Sequence, residues 1–228
     1  MPVFALIPAA GSGTRIAGER PKQYLGLAGK PMLWHAVKAV CVPPVENVFV
    51  VLAVDDEAFA SHDWSEFGGR LAPLYCGGET RRDSVYNGLL AAMATVAADD
   101  WMLVHDAARP CLSRSEFERL IRECQADEIG GILALPVSDT VKRASGDRIL
   151  ASEDRSDLWL AQTPQMFRAA LLAQALQRAG GGVTDEAAAV EQLGLKPRLV
   201  AGSRENLKVT YPEDLAIAEA ILARRAQR

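Results

Sequence analysis

Four strand-length runs, apolar almost throughout, set the frame of this chain: Val3-Phe4-Ala5-Leu6-Ile7, Phe49-Val50-Val51-Leu52-Ala53-Val54, Trp101-Met102-Leu103-Val104-His105 and Gly131-Ile132-Leu133-Ala134-Leu135-Pro136. A strand with one wet face alternates apolar and polar residues. A short run without alternation is the pattern of a strand buried on both sides. Leu74-Tyr75-Cys76 reads as a weaker strand. Helical spacing fills the intervals: Leu33, Trp34, Val37 and Val40 after Pro31, and Val85, Leu89, Met93 and Val96 after Arg81. Phe117, Leu120 and Ile121 follow the capping box Ser113-Arg114-Ser115-Glu116. Strand alternating with helix predicts an α/β fold, a mostly parallel twisted sheet with helices on both faces. Ligands in such sheets bind beyond the carboxyl ends of the strands. The loop after Ile7, the pair Gly77-Gly78 and Asp106 all lie there.

The rhythm breaks between Val137 and Leu158, where polar and apolar residues alternate around Gly146-Asp147. That segment is predicted to be a β-hairpin arm projecting from the sheet, at about 137–158. A helix follows from Arg168 to Arg178. Thr184-Asp185 caps another that ends at Gly194. Leu199-Val200-Ala201 and Leu207-Lys208-Val209 are expected as short strands, before a last helix from Pro212 through Leu215, Ile217 and Ile221. No repeat or linker interrupts the 228 residues, so one domain over 1–228 carrying an arm is expected.

The loop after the first strand reads Pro8-Ala9-Ala10-Gly11-Ser12-Gly13-Thr14-Arg15, with Pro21-Lys22 soon after. Small residues and glycines bring main-chain amides close to a ligand, and successive amides make an anion-binding hollow. Arg15 and Lys22 add fixed positive charge. Two common glycine motifs fail here. A dinucleotide fingerprint from Gly11 meets Ile16 where a small residue is required, and a P-loop from Gly13 meets Glu19-Arg20 in place of Lys-Ser/Thr. An ordinary turn into a helix remains the plain alternative, although such a turn has no use for two cations.

Net charge is −4, so the chain has no overall electrostatic footprint for nucleic acid, and an anionic ligand must be held by local cations. Cys41, Cys76, Cys111 and Cys124 are spread without a C-x-x-C pair, and His35, His62 and His105 without H-E-x-x-H. Buried thiols in a reducing compartment fit this better than zinc or disulfides. No apolar run reaches membrane-spanning length, and the first has no cationic segment before it. A cytoplasmic protein that binds no membrane is expected.

Three constellations carry chemistry. Asp106, in His105-Asp106-Ala107-Ala108-Arg109-Pro110, ends a strand and faces the glycine loop, where Mg²⁺ bridging carboxylate to phosphate explains an acid best. A turn with Asp106 paired to Arg109 is its structural alternative. Gly77-Gly78-Glu79-Thr80-Arg81-Arg82-Asp83-Ser84 offers bare backbone and a hydroxyl for the edge of a nucleobase, or simply a capped helix start. Arg155, Thr163, Thr184-Asp185 and Asn206-Leu207-Lys208 together suggest a second anion site. No nucleophile–histidine arrangement at a recognised spacing supports a hydrolase.

Taken in order, these motifs resemble those of nucleotidyltransferases. Pro21-Lys22-Gln23-Tyr24-Leu25, Gly77-Gly78-x-x-Arg81-x-x-Ser84-Val85 and His105–Pro110 narrow the resemblance to the polyol-phosphate cytidylyltransferases. Asp139-Thr140, Thr163-Pro164-Gln165, Thr184-Asp185-Glu186 and Lys208-Val209-Thr210 continue it along essentially the whole chain. The resemblance implies a Rossmann-like nucleotidyltransferase fold, Mg²⁺ dependence and a homodimer whose arms cross. It implies CTP as co-substrate, with Pro8, Ala9, Ala10, Gly11, Gly13, Arg15 and Lys22 around the triphosphate. Gly78, Glu79 and Ser84 go to cytosine, and Asp106 to Mg²⁺ and the ribose-phosphate region. Arg109, Thr140, Arg155, Thr163, Thr184 and Lys208 go to the acceptor side, with Thr140 and Arg155 reaching in from the partner's arm. Some relatives carry a further cyclising domain, and a monofunctional chain is expected here.

The implied reaction transfers CMP to 2-C-methyl-D-erythritol 4-phosphate in non-mevalonate isoprenoid precursor synthesis. A phosphomonoester is already anionic at neutral pH, so its attack on the α-phosphorus of CTP needs no general base. Arg15, Lys22 and Lys208 are the expected catalytic cations, with Lys208 at the α-phosphate and Glu205 a candidate second metal ligand. Two rivals stand beside this reading: a ribitol 5-phosphate cytidylyltransferase and a non-catalytic nucleotide-binding module. Ala108 and Thr184-Asp185-Glu186 favour the methylerythritol acceptor. The joint presence of Lys22, Lys208 and Asp106 favours an enzyme.

Overall fold

The structure is a computed structural model that describes residues 1–11, 21–180 and 182–227. The first strand, β1, spans Val3–Pro8. A small ladder of β2 (Gly26–Leu27) and β3 (Lys30–Pro31) leads into α1 (Met32–Val40), which Pro31 starts. Then come β4 (Val45–Leu52), β5 (Leu71–Tyr75) and α2 (Arg81–Ala92). They are followed by β6 (Trp101–Val104), α3 (Arg114–Gln125) and β7 (Gly130–Pro136). The arm is a hairpin of β8 (Val141–Ser145) and β9 (Arg148–Glu153). After it run β10 (Trp159–Arg168), α4 (Ala169–Arg178), α5 (Glu186–Glu191), β11 (Arg198–Ala201) and α6 (Pro212–Ala226).

Seven strands form one sheet in the order β11-β7-β10-β6-β1-β4-β5. β6, β1, β4 and β5 are mutually parallel, β11 is parallel to β7, and β10 alone runs antiparallel to both its neighbours. The apolar runs behave as their composition dictates. Val3, Ala5 and Ile7 enter the core under α1 and α3, while Phe4 and Leu6 enter the core under α2, α4 and α5. With both faces covered, successive side chains of opposite orientation are all buried. The helices on both faces, the capping box of α3 at Ser113 and Glu116, and the hairpin around Gly146 all match expectation. The base of the arm is closed by Val137 N–H donating to Leu158 O.

Four details differ. β10 has no counterpart in the strand pattern of the sequence, yet it lies in the interior of the sheet, between β7 and β6. Its burial changes halfway, from exposed Trp159–Ala161 to buried Gln162–Phe167, and its inner face carries glutamines and a threonine that mask any apolar period. Leu207–Val209 is not a strand: Val209 N–H donates to Ala108 O, but no ladder forms. Val54 is 74% exposed, because β4 ends at Leu52 and the chain turns where Asp56 N–H donates to Ala53 O. Asp185 alone caps α5, its carboxylate accepting from Ala188 N–H, and Thr184 stands outside the helix.

Candidate active site

The parallel strands deliver three segments to one end of the sheet. The loop after β1 begins with Ala9, whose N–H donates to Val51 O and whose carbonyl accepts from the buried Gln23 side chain at 2.6 Å. Gln23 belongs to a single helical turn, Lys22–Tyr24, and Tyr24 in turn donates its hydroxyl to Asp56 at 2.8 Å. Lys22 therefore stands on a turn pinned by both following residues.

The second segment joins β5 to α2. Gly77 touches the first loop so closely that an added Cβ would lie 2.4 Å from the Ala10 Cβ and 2.8 Å from Leu52 O. Gly78 is fitted as tightly against Asp83, and its N–H donates to Ser84 Oγ at 3.1 Å. The bare backbone here thus serves internal packing as well as approach to the cleft. Thr80 and Asp83 form a reciprocal capping box that opens α2. Gly11 differs, since an added Cβ there would meet no atom of the described residues within 4 Å.

The third segment follows β6. Asp106, 6% exposed, sends Oδ1 to Arg81 at 2.8 Å and Oδ2 to Lys208 at 2.7 Å. Arg81 also grips the buried Glu186 with two hydrogen bonds, of 2.7 and 3.1 Å. Burial opposes ionisation of Asp106, but Arg81 and Lys208 outweigh it and hold the carboxyl well below the usual range. Burial likewise opposes the charge on Arg81, and Glu186 and Asp106 more than restore it. The partner of Asp106 is therefore Arg81, with Lys208, in place of Arg109. Arg109 instead donates to Asn206 O at 2.6 Å, and only its backbone N–H meets Asp106 O.

Antiparallel β10 brings Thr163 beside this turn, and its hydroxyl accepts from Asp106 N–H at 2.9 Å. Thr163 Oγ1 also lies 3.2 Å from His105 Nδ1, while His105 Nε2 lies 3.0 Å from Arg109 O. A carbonyl only accepts, so Nε2 carries the proton and the threonine hydroxyl donates to Nδ1. Burial lowers the His105 pKa to about 4, so the ring is neutral and fully engaged. It is a brace for the Asp106 turn, unavailable as a base.

These segments enclose a cleft of about 470 Å³ lined by Pro8, Ala9, Ala10, Gly11, Lys22, Gln23, Met32, Gly78, Glu79, Thr80, Arg81, Ser84, Asp106, Ala107, Ala108 and Lys208. Among the expected site residues, Gly13 and Arg15 lie outside the described residues. Arg109 and Thr163 are buried behind Asp106. Thr184 lines an adjoining hollow that shares Thr80 and Arg81 with the cleft. Thr140 and Arg155 are exposed on the arm and line neither, and Arg155 donates to Ser138 O. Glu205 is paired with Arg224 and Arg225 of α6 and does not line the cleft, which removes it as a second metal ligand. Arg81 and Glu186 were not singled out from the sequence. Both sit inside the motifs that were read there, but an acid just after a helix cap ordinarily faces solvent.

A family model described as IspD, 2-C-methyl-D-erythritol 4-phosphate cytidylyltransferase, matches residues 3–224. The chain is 54% identical over 224 residues to the 2-C-methyl-D-erythritol 4-phosphate cytidylyltransferase of Azoarcus sp. (strain BH72), covering 97% of this chain and 94% of that protein. It is equally identical to the enzyme of that name from Dechloromonas aromatica (strain RCB), covering 97% and 98%. Among solved structures it resembles a 4-diphosphocytidyl-2C-methyl-D-erythritol synthase, with a TM-score of 0.85 at 39% identity over 97% of this chain and 99% of that one. The Francisella tularensis 2-C-methyl-D-erythritol 4-phosphate cytidylyltransferase aligns with a TM-score of 0.82 at 34% identity, over 97% and 100%.

Proposed function

Because the chain belongs to the 2-C-methyl-D-erythritol 4-phosphate cytidylyltransferase family, we propose that its cleft binds CTP with the triphosphate along the loop after β1 and the base against Gly78, Glu79 and Ser84. The enzyme transfers CMP from CTP to 2-C-methyl-D-erythritol 4-phosphate, releasing pyrophosphate and 4-diphosphocytidyl-2-C-methyl-D-erythritol for non-mevalonate isoprenoid precursor synthesis. Methylerythritol phosphate, rather than ribitol 5-phosphate, is accordingly the acceptor, and the chain is a catalyst rather than a binding module.

The residue assignment rests above all on the ionised Asp106 held between Arg81 and Lys208 at the floor of the cleft. The acceptor phosphate arrives as an anion, attacks the α-phosphorus in line and displaces pyrophosphate. Joining two polyanions demands charge compensation and positioning more than proton transfer. Lys208 neutralises charge growing at the α-phosphate, and Lys22, with Arg15 shortly before it in sequence, stabilises the departing pyrophosphate. Gly11 supports contact with the phosphates, since its missing side chain answers no packing need among the described residues.

Mg²⁺ fits the donor set. Among the described residues no cluster of three or more metal-ligating side chains exists, and Mg²⁺ with nucleotides typically takes one or two carboxylates together with phosphate oxygens. Asp106 supplies one such carboxylate. The ion, when bound, compensates phosphate charge.

Arg109, Thr140, Arg155, Thr163 and Thr184 form the acceptor side in this reading, Arg109 and Thr163 partly by supporting the cleft wall. A homodimer with crossed arms would let Thr140 and Arg155 serve the neighbouring cleft. The arm and its base expose Ile149, Leu150, Leu158, Trp159 and Leu160, an apolar display that favours burial against a second copy. We assign one domain to 1–228. Four free cysteines, and no helix of the described residues able to span a membrane, accord with a cytoplasmic location. Pyrophosphate release on incubation with CTP, Mg²⁺ and either acceptor tests the assignment. Turnover with ribitol 5-phosphate alone would overturn it.

A further inference from the structure

We infer that Asn206 is a positioning residue that sets Lys208 over Asp106, an inference that rests on the catalytic reading of Lys208 above. Lys208 lies in an irregular segment between β11 and α6, and its side chain is 47% exposed. A long, half-exposed lysine holds one geometry only if its main chain is fixed. Two residues earlier, Asn206 is fully buried. Its side-chain amide donates to Thr163 O at 2.8 Å, and its own carbonyl accepts from Arg109 at 2.6 Å. Thr163 is also the residue whose hydroxyl receives Asp106 N–H. Both ends of the Lys208–Asp106 contact are therefore tied to one residue, Asp106 through the Thr163 hydroxyl and Lys208 through Asn206 and the Thr163 carbonyl.

A further observation separates positioning from plain stabilisation. The Asn206 Oδ1 is buried and has no hydrogen-bond donor among the described residues. An unpaired buried acceptor costs stability, so a side chain retained only to fill this space would be apolar. What Asn206 supplies is a directed donor to the Thr163 carbonyl, with a longer contact of 3.4 Å to Gln162 Oε1, and with it the reach of Lys208.

The test is a double-mutant cycle in the whole enzyme. Wild type, Asn206→Ala, Lys208→Ala and the double variant are compared for pyrophosphate release at saturating CTP, methylerythritol phosphate and Mg²⁺, with melting temperatures recorded alongside. Asn206→Ala is expected to lower kcat by roughly 10–100-fold, the scale of misplacing a reacting group. In the Lys208→Ala background it should cost less than about 2-fold, while the melting temperature falls equally in both backgrounds. An equal loss of kcat in both backgrounds, or no loss in either, overturns the inference and leaves the catalytic reading of Lys208 standing. Near-normal turnover of Lys208→Ala overturns that reading and this inference with it. Should Asn206→Ala not fold by circular dichroism, Asn206→Ser carries the same comparison.

Discussion

Lys208 Nζ stands 2.7 Å from Asp106 Oδ2 while Arg81 takes the other oxygen of the same carboxylate at 2.8 Å. The two cations come from segments 127 positions apart in sequence and meet on one buried acid. They are already in place when a polyanion enters, which is the condition for stabilising a transition state without reorganisation. Glu186, bound to the far side of Arg81, keeps that guanidinium from swinging freely.

Lys22→Ala should lower kcat by roughly 10²–10³-fold, the scale of removing one transition-state stabiliser. Its turn is pinned through Gln23 and Tyr24, so the truncation should leave the fold intact. Pyrophosphate release at saturating CTP and Mg²⁺ decides it, and near-normal turnover would refute the assignment. Arg15→Ala carries the same expectation from its sequence position.

Arg81→Ala leaves Glu186, whose side chain is 1% exposed, without its cation among the described residues. Breaking a buried pair by removing one partner costs about 3–5 kcal/mol. Urea unfolding should show Arg81→Ala/Glu186→Gln recovering part of that loss. A double variant as unstable as the sum of the singles would mean the pair does not interact.

His105 gives a signed pH effect. Burial lowers its folded pKa from 6.5 to about 4, so between those values the unfolded chain binds the extra proton. Stability is full above about pH 6.5 and falls as pH drops toward 4, by up to about 3 kcal/mol. The depressed Asp106 acts in a lower window, below its ordinary value of 3.8. Chemical denaturation from pH 7 to 4.5 should show a steeper loss for wild type than for His105→Asn. Parallel curves would contradict a neutral, buried ring.

Two glycines should separate packing from ligand contact. Gly77→Ala drives a methyl group into Ala10 and should cost about 1–3 kcal/mol, as overpacking does. Gly11→Ala meets no atom of the described residues, so its melting temperature should stay near wild type while calorimetry shows weakened CTP binding. Undiminished CTP affinity in Gly11→Ala would remove that position from the phosphate site.

Arg155→Ala should raise KM for methylerythritol phosphate and leave CTP binding intact, because Arg155 does not line the cleft proposed for CTP. Lost CTP affinity by calorimetry would count against an arm-borne acceptor site.

The sequence by itself determined the layers. Val3–Ile7 and Trp101–Val104 are apolar at every position, a local property that requires cover on both faces, and Ser113-Arg114-Ser115-Glu116 carries its helix start within four residues. It also determined which end of the sheet bears the glycine loop, Gly78 and Asp106, since each follows a legible strand. Only the tertiary structure decided the wiring between them. β10 stayed hidden because Gln162, Thr163 and Gln165 are buried by bonding to Asn206, Asp106 and Asp185, partners that no periodicity registers. Arg81, Glu186 and Asn206 all fall inside motifs visible in the sequence, but their partners in the fold were illegible for the same reason. A charge or amide belongs in the interior only when a specific partner meets it there, and those partners come together through folding, across separations that local patterns do not span.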